Sequence, residues 1–153
     1  MALYNLHEIF SFLLPNQRLL GLDPGAKRIG VALSDVNRRV ASPYTTLLRA
    51  KMKQNAAEIA AIAVREGAGG LVVGLPLDEA QNLGPRAQAA RDWAHGLSAA
   101  TGLPVAMVDE SYSTALTHER LIAAGISRAR RAEIVDKLAA AEILQRALDA
   151  ARS

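Results

Sequence analysis

The chain has 153 residues, 50 % of them apolar and 22 % charged, a composition that suits one domain with a sizeable core and excludes a disordered or membrane-spanning chain. It has no cysteine, which excludes disulfides, thiolate metal sites and cysteine nucleophiles together. The net charge of +3 is unevenly spread: eight Lys/Arg stand against two acids between Arg18 and Lys53, and Arg128, Arg130 and Arg131 form a second basic cluster. That asymmetry suits a polyanionic partner on one face, although ordinary solvated charge would produce it too.

Leu3, Leu6, Phe10 and Leu13 recur at helical spacing and predict a short helix that ends before Pro15, making residues 1–15 a helical extension. The apolar run Ile9 to Leu14 is broken by Ser11 and stopped by Pro15, too short for a bilayer and a poor signal peptide, so a cytoplasmic protein is expected. Arg18 to Leu22 and Arg28 to Ser34 flank Asp23-Pro24-Gly25, where Pro followed by Gly predicts a type II turn and an antiparallel hairpin. Val40 to Leu48 reads as a third strand, with Pro43 marking an edge or a bulge.

The pattern then alternates. Asn55 to Glu66 predicts a helix stopping at Gly67, and Gly70 to Gly74 a buried strand. Pro85 and Gly102 bracket a second helix, and Pro104 to Val108 reads as another buried strand. Ser113 is a good N-cap for a helix reaching about Ala124, and a last helix is predicted from Ala132 to Ala150. Three antiparallel strands followed by alternating helices and parallel strands give a mixed five-stranded α/β sheet in a single domain spanning 1–153.

Function in such sheets gathers at strand carboxyl ends, and two strands here end in acids. Asp23 closes the first; Asp109-Glu110 closes the last; Asp136 lies in the first turns of the final helix beside Ala139, Ala140 and Ala141, small enough to let that helix approach the sheet. Carboxylates without His or Cys favour Mg²⁺ or Mn²⁺, and a pair of such ions can drive phosphodiester cleavage. Each acid also has an ordinary role open to it: Asp23 as a turn opener, Glu110 as a loop charge, Asp136 as a complement to the helix dipole. His7, His95 and His118 read as helix-surface residues, and Trp93 and Tyr112 as packing. Aromatics are 4 % of the chain, which offers no base-stacking platform.

The segment from Leu20 to Ala32, Leu-Gly-Leu-Asp-Pro-Gly-Ala-Lys-Arg-Ile-Gly-Val-Ala, resembles the opening motif of the YqgF (RuvX-like) family of RNase H-like proteins. Three more stretches match in order: Val72-Val73-Gly74-Leu75-Pro76, Asp109-Glu110 followed by Ser113-Thr114, and Val135-Asp136 leading into Ala139-Ala140. The resemblance covers Arg18 to Leu148. It implies an RNase H-like fold, catalysis and metal binding by Asp23, Glu110 and Asp136, and Mg²⁺ or Mn²⁺ as cofactor. Lys27 and Arg28 would face substrate phosphates or support the first loop, and Gly74 and Pro76 would bring backbone close to nucleic acid. Ser113, Thr114, Arg130 and Arg131 complete the expected substrate contacts. Two positions depart from the family pattern: Ser111 stands where Arg is usual, and Lys137 where Ser is usual.

The activity implied is metal-dependent endonucleolytic hydrolysis at the 5′ end of pre-16S rRNA during ribosome biogenesis. Its expected partners are nucleic acid and ribosomal precursor particles, with no membrane, and the oligomeric state is open. One alternative is a Holliday junction resolvase acting on four-way DNA, which would need two sites in a C₂ dimer. The other is a catalytically weak nucleic-acid-binding assembly factor. Binding is expected to be mainly electrostatic and to draw on Lys27, Arg28, Arg38, Arg39 and Arg128 to Arg131.

Overall fold

The computed structural model describes residues 3–76, 84–110 and 124–152, without the side chain of Glu110. The elements are α1 (Leu6–Phe12), β1 (Arg18–Pro24), β2 (Arg28–Ser34), β3 (Ala41–Leu48), α2 (Met52–Glu66), β4 (Ala68–Pro76), α3 (Pro85–Thr101), β5 (Val105–Glu110) and α4 (Arg128–Ala151). The helix predicted from Ser113 lies outside the described residues. The five strands form one sheet in the order β3-β2-β1-β4-β5. β2 pairs antiparallel with both β1 and β3, and β1-β4-β5 pair parallel, as the sequence predicted.

β1 is central and covered on both sides, which is why it reads as a nearly continuous apolar run. Leu20 and Leu22 pack with Ile59 of α2 and Trp93 and Leu97 of α3. Leu19 packs on the opposite face with Ile143, Leu144 and Leu148 of α4 and with Ile9 of α1. α1 is held by a reciprocal cap between Asn5 and Glu8, and the Tyr4 N–H donates to the Val105 carbonyl at 2.9 Å, so the extension docks along β5. β3 is an edge strand. Its bulge falls where Ala32 pairs with Pro43 and Val31 with Thr45, leaving Tyr44 as the extra residue; an edge tolerates a proline that donates no ladder bond.

The first hairpin forms as predicted, but by another turn. Gly25 does not have the positive φ of a type II turn; the loop is Gly25-Ala26-Lys27, closed by the Gly25 N–H donating to the Arg28 carbonyl at 2.8 Å. Glycine is required because a Cβ would sit 2.8 Å from that same carbonyl oxygen.

Two helices begin earlier than their apolar periodicity suggests. α2 starts at Met52, and its Asn55 is fully buried: Oδ1 accepts from the Ala50 N–H at 2.8 Å while Nδ2 donates to the Leu48 carbonyl at 3.1 Å and to Glu58 Oε1 at 2.8 Å. Asn55→Ala removes this buried amide and its bonds to the partly buried backbone of the β3–α2 junction, and is expected to cost about 2 kcal/mol. In urea unfolding this appears as a lower midpoint at unchanged slope; an unchanged midpoint would mean that water replaces the amide freely.

α4 starts at Arg128 because Ser127 caps it, its hydroxyl accepting from the Arg130 N–H at 3.3 Å. Arg128, Arg130 and Arg131 therefore lie in the first turn of the helix, not in a loop before it. Asp136 is the ninth residue of α4, and helix-dipole effects fade within one turn, so dipole complementation does not account for it. Among the described residues no helix is long and apolar enough to cross a membrane.

Candidate active site

β1, β4 and β5 are parallel, so their carboxyl ends share one edge of the sheet, and antiparallel β2 begins at that same edge. Asp23 pairs in register with Gly30. Gly30 in turn backs directly on α4: a Cβ there would overlap the Asp136 carbonyl. At Gly21 the fit is similar, a Cβ falling 2.6 Å from Leu144 Cβ and 2.8 Å from the Ala140 oxygen. The two glycines, with buried Ala139 and Ala140, let α4 lie flat on β1 and β2. This brings Asp136 beside the strand pair that carries Asp23.

Arg28 joins the two elements. Its Nε donates to Asp136 Oδ2 at 2.7 Å, with the side chains 30 % and 24 % exposed, so the pair is partly screened but well oriented. Beside it, Thr46 Oγ1 donates to the Glu133 carbonyl at 3.0 Å, tying β3 to the same helix. Arg28, Thr46, Glu133 and Lys137 line a cleft of about 320 Å³. Arg28, expected to face substrate phosphates, thus spends its Nε on a carboxylate of the site.

Glu110 ends β5, its backbone opposite Pro76 at the same sheet edge. Ser113 and Thr114 lie outside the described residues. Lys27 is exposed at the tip of the first hairpin, and Arg130 is exposed on the first turn of α4. Arg131 folds back, Nη1 donating to the Ile126 carbonyl at 2.8 Å. Among the described residues no three acids or histidines converge as a metal cluster. Among the described residues the acids at this edge offer carboxylate oxygens, not imidazole or thiolate, and Arg28 engages Asp136 through Oδ2. That donor set fits a hard divalent cation.

Arg38 and Arg39 do not join this edge. They lie in the β2–β3 connection, a strand length of about 20 Å from the first hairpin's tip. Arg38 Nη1 donates to the Gln17 carbonyl at 2.6 Å, and the Arg39 carbonyl accepts from Gln145. The N–H groups of Val40 and Arg39 hold the nearby Asp35 carboxyl below its ordinary range. The basic residues of the N-terminal half are therefore split between opposite ends of the sheet.

A second cleft, of about 410 Å³, opens on the α3 side of the same edge and is lined by Asp23, Gly25, Arg49, Gly74, Pro76 and Arg86 among others. Gly74 and Pro76 were expected near substrate. Nothing in the sequence marks Arg49 and Arg86 as site residues beyond a place in the basic run and a place just after the helix-opening Pro85.

The RuvX family, described as Holliday junction resolvase, matches residues 17–150. The chain belongs to the RuvX family. The match takes in the whole sheet and nearly all of α4, and leaves α1 outside. A relative from Gluconacetobacter diazotrophicus is 57 % identical over 151 residues, covering 98 % of each chain, and one from Acidiphilium cryptum is 54 % identical over 149 residues, covering 97 % of this chain and 94 % of its own. Both carry the name "Putative pre-16S rRNA nuclease". Among solved structures, Thermus thermophilus RuvC in complex with a Holliday junction substrate is 18 % identical at a TM-score of 0.52, covering 88 % of this chain and 94 % of that one. Fowlpox virus resolvase, solved with Holliday junction DNA, is 9 % identical at the same TM-score, covering 86 % and 99 %. At such identities the likeness establishes the fold: this RuvX-family chain is RNase H-like.

Proposed function

We propose that this chain is a metal-dependent endonuclease that hydrolyses a phosphodiester bond at the 5′ end of pre-16S rRNA, acting on precursor particles in the cytoplasm. Asp23, Glu110 and Asp136 are its catalytic and metal-binding residues. The observation that carries the hydrolytic reading is the seating of Asp136 over Gly30, the register partner of Asp23, at the carboxyl edge of the sheet. The RNA reading is supported by the names of relatives that match this chain end to end.

Mg²⁺ or Mn²⁺ held by these carboxylates would supply Lewis acidity and charge neutralisation at the attacked phosphate. The chain's own part is to orient and to bind. Arg28 holds Asp136 by Oδ2, which fixes the carboxylate plane. Lys27 and Arg130 bring positive charge to the same edge, and Gly74 allows the polyanion to approach backbone closely. Ser113, Thr114 and Arg131 complete the proposed contacts.

Arg28→Gln is expected to lower kcat at least tenfold with KM little changed, because Asp136 loses its orientation rather than the substrate its grip. Stability should shift by less than about 1 kcal/mol, since the pair is partly exposed. Arg28→Lys restores the charge but not the planar donor, so rescue should be incomplete. A mutant whose KM alone rises would make Arg28 a phosphate ligand instead.

The experiment that tests the function is incubation of purified protein with precursor rRNA and with a synthetic four-way junction, each with Mg²⁺, Mn²⁺ or chelator. Cleavage of the RNA alone, lost in chelator, is the expected result. The junction is kept as a substrate because the RuvX family is described as Holliday junction resolvase, and paired symmetric cuts in it would transfer the reading to DNA.

A further inference from the structure

The cleft on the α3 side of Asp23 has cationic walls that the residues proposed above do not use. Arg49, just past β3, is fixed from three directions. Its N–H donates to the Lys27 carbonyl at 2.9 Å, its Nη1 donates to the Gly25 carbonyl at 2.8 Å, and its Cζ lies 5.7 Å from the centroid of the Trp93 ring. Trp93 belongs to the core and is 9 % exposed, so the guanidinium stacks on a rigid platform. Arg49 itself is exposed, and a guanidinium carries five donors, of which the Gly25 carbonyl takes one. Arg86, exposed on the first turn of α3, lines the same cleft. Gly25, Gly74 and Pro76 line it as well, and from α3 it is lined by the small side chains of Ala89 and Ala90.

We propose that Arg49 and Arg86 form a phosphate subsite that takes the nucleic-acid backbone on the α3 side of Asp23, next to the bond that is cleaved. The proposal rests on the reading of this edge as a phosphodiesterase site and adds the direction in which the strand leaves it. Two guanidinium groups suit a phosphodiester by geometry as well as charge, since each can present paired donors to its oxygens. Arg49 also pins the loop that follows Asp23, so phosphate binding on this wall and the position of that loop are mechanically linked.

The test is nucleic-acid binding in chelator, where no cleavage occurs, using a single-stranded RNA that spans the precursor 5′ end and a salt titration of affinity. Each phosphate contact on a single strand contributes about 0.7 to the slope of log affinity against log salt, so Arg86→Gln should lower it by about 0.7 and Arg49→Gln with Arg86→Gln by about 1.4. Lys51→Gln with Lys53→Gln removes two charges near the same junction but outside the cleft and should leave the slope unchanged. An unchanged slope in the arginine double mutant overturns the subsite, and so does an equal loss in the lysine control, which would mean diffuse charge. Should Arg49→Gln unfold the loop, Arg86→Gln alone decides. Absence of cleavage in Mg²⁺ with the slopes as expected would overturn the nuclease reading and leave the subsite standing.

Discussion

Asp23→Asn is expected to reduce cleavage at least about a hundredfold while the protein folds normally and still binds nucleic acid. Asparagine keeps the size of the side chain and its capacity to accept a hydrogen bond, and the strand backbone at this position is extended and paired with Gly30. What disappears is one negative charge at the edge where a divalent cation would bind. Charge stabilisation by such an ion is worth several kcal/mol, and about 1.4 kcal/mol is a factor of ten in rate. Binding should persist or tighten, because a carboxylate facing phosphates repels them. The measurement compares cleavage at saturating Mg²⁺ with filter binding in chelator for wild type and mutant. A folded Asp23→Asn protein that cuts at the wild-type rate removes Asp23 from catalysis and most of the case for a nuclease at this edge.

Gly30→Ala is expected to be the most damaging single-methyl change in the sheet, with a loss of about 3 kcal/mol of stability and of nearly all cleavage. The added Cβ would overlap the Asp136 carbonyl, and both partners are backbone: one in a strand paired on both sides, the other inside a helix of 24 residues. Neither can yield by a rotamer change, so α4 must lift from β1 and β2 and carry Asp136 and its bond to Arg28 with it. For a domain of this size about 3 kcal/mol corresponds to roughly 6–12 °C in Tm. Gly67→Ala is the comparison. Its φ of +70° is strained for alanine, but a Cβ there meets nothing within 4 Å, so it should cost about 1 kcal/mol and leave cleavage untouched. Equal loss of activity in the two mutants would mean that general destabilisation, not displacement of Asp136, is responsible.

Most of the element order could be read from local signals. Pro85 and Gly102 marked the ends of α3, Gly67 the end of α2, and Pro43 an edge or a bulge, of which β3 has both, because proline and glycine restrict or free the dihedral angles of their own residue wherever the chain goes. The hairpin at Asp23-Pro24-Gly25 was legible for the same reason, and the four ordered motifs carried the resemblance to the family. The turn type was not legible, since Gly25 is there to admit the Arg28 carbonyl and that contact exists only once β2 is paired. The start of α4 was not legible from apolar periodicity, which begins at Ile134, whereas the helix starts at its Ser127 cap with a polar first turn. Tertiary structure alone decided that Arg28 meets Asp136 across 108 residues, that Arg38 and Arg39 lie a strand's length from the site, and that Arg49 and Arg86 share a cleft with Asp23. Composition reports charge along the chain. Which charges become neighbours depends on strand order and register, and those are set by how the sheet pairs and how closely two glycines let one helix lie on it.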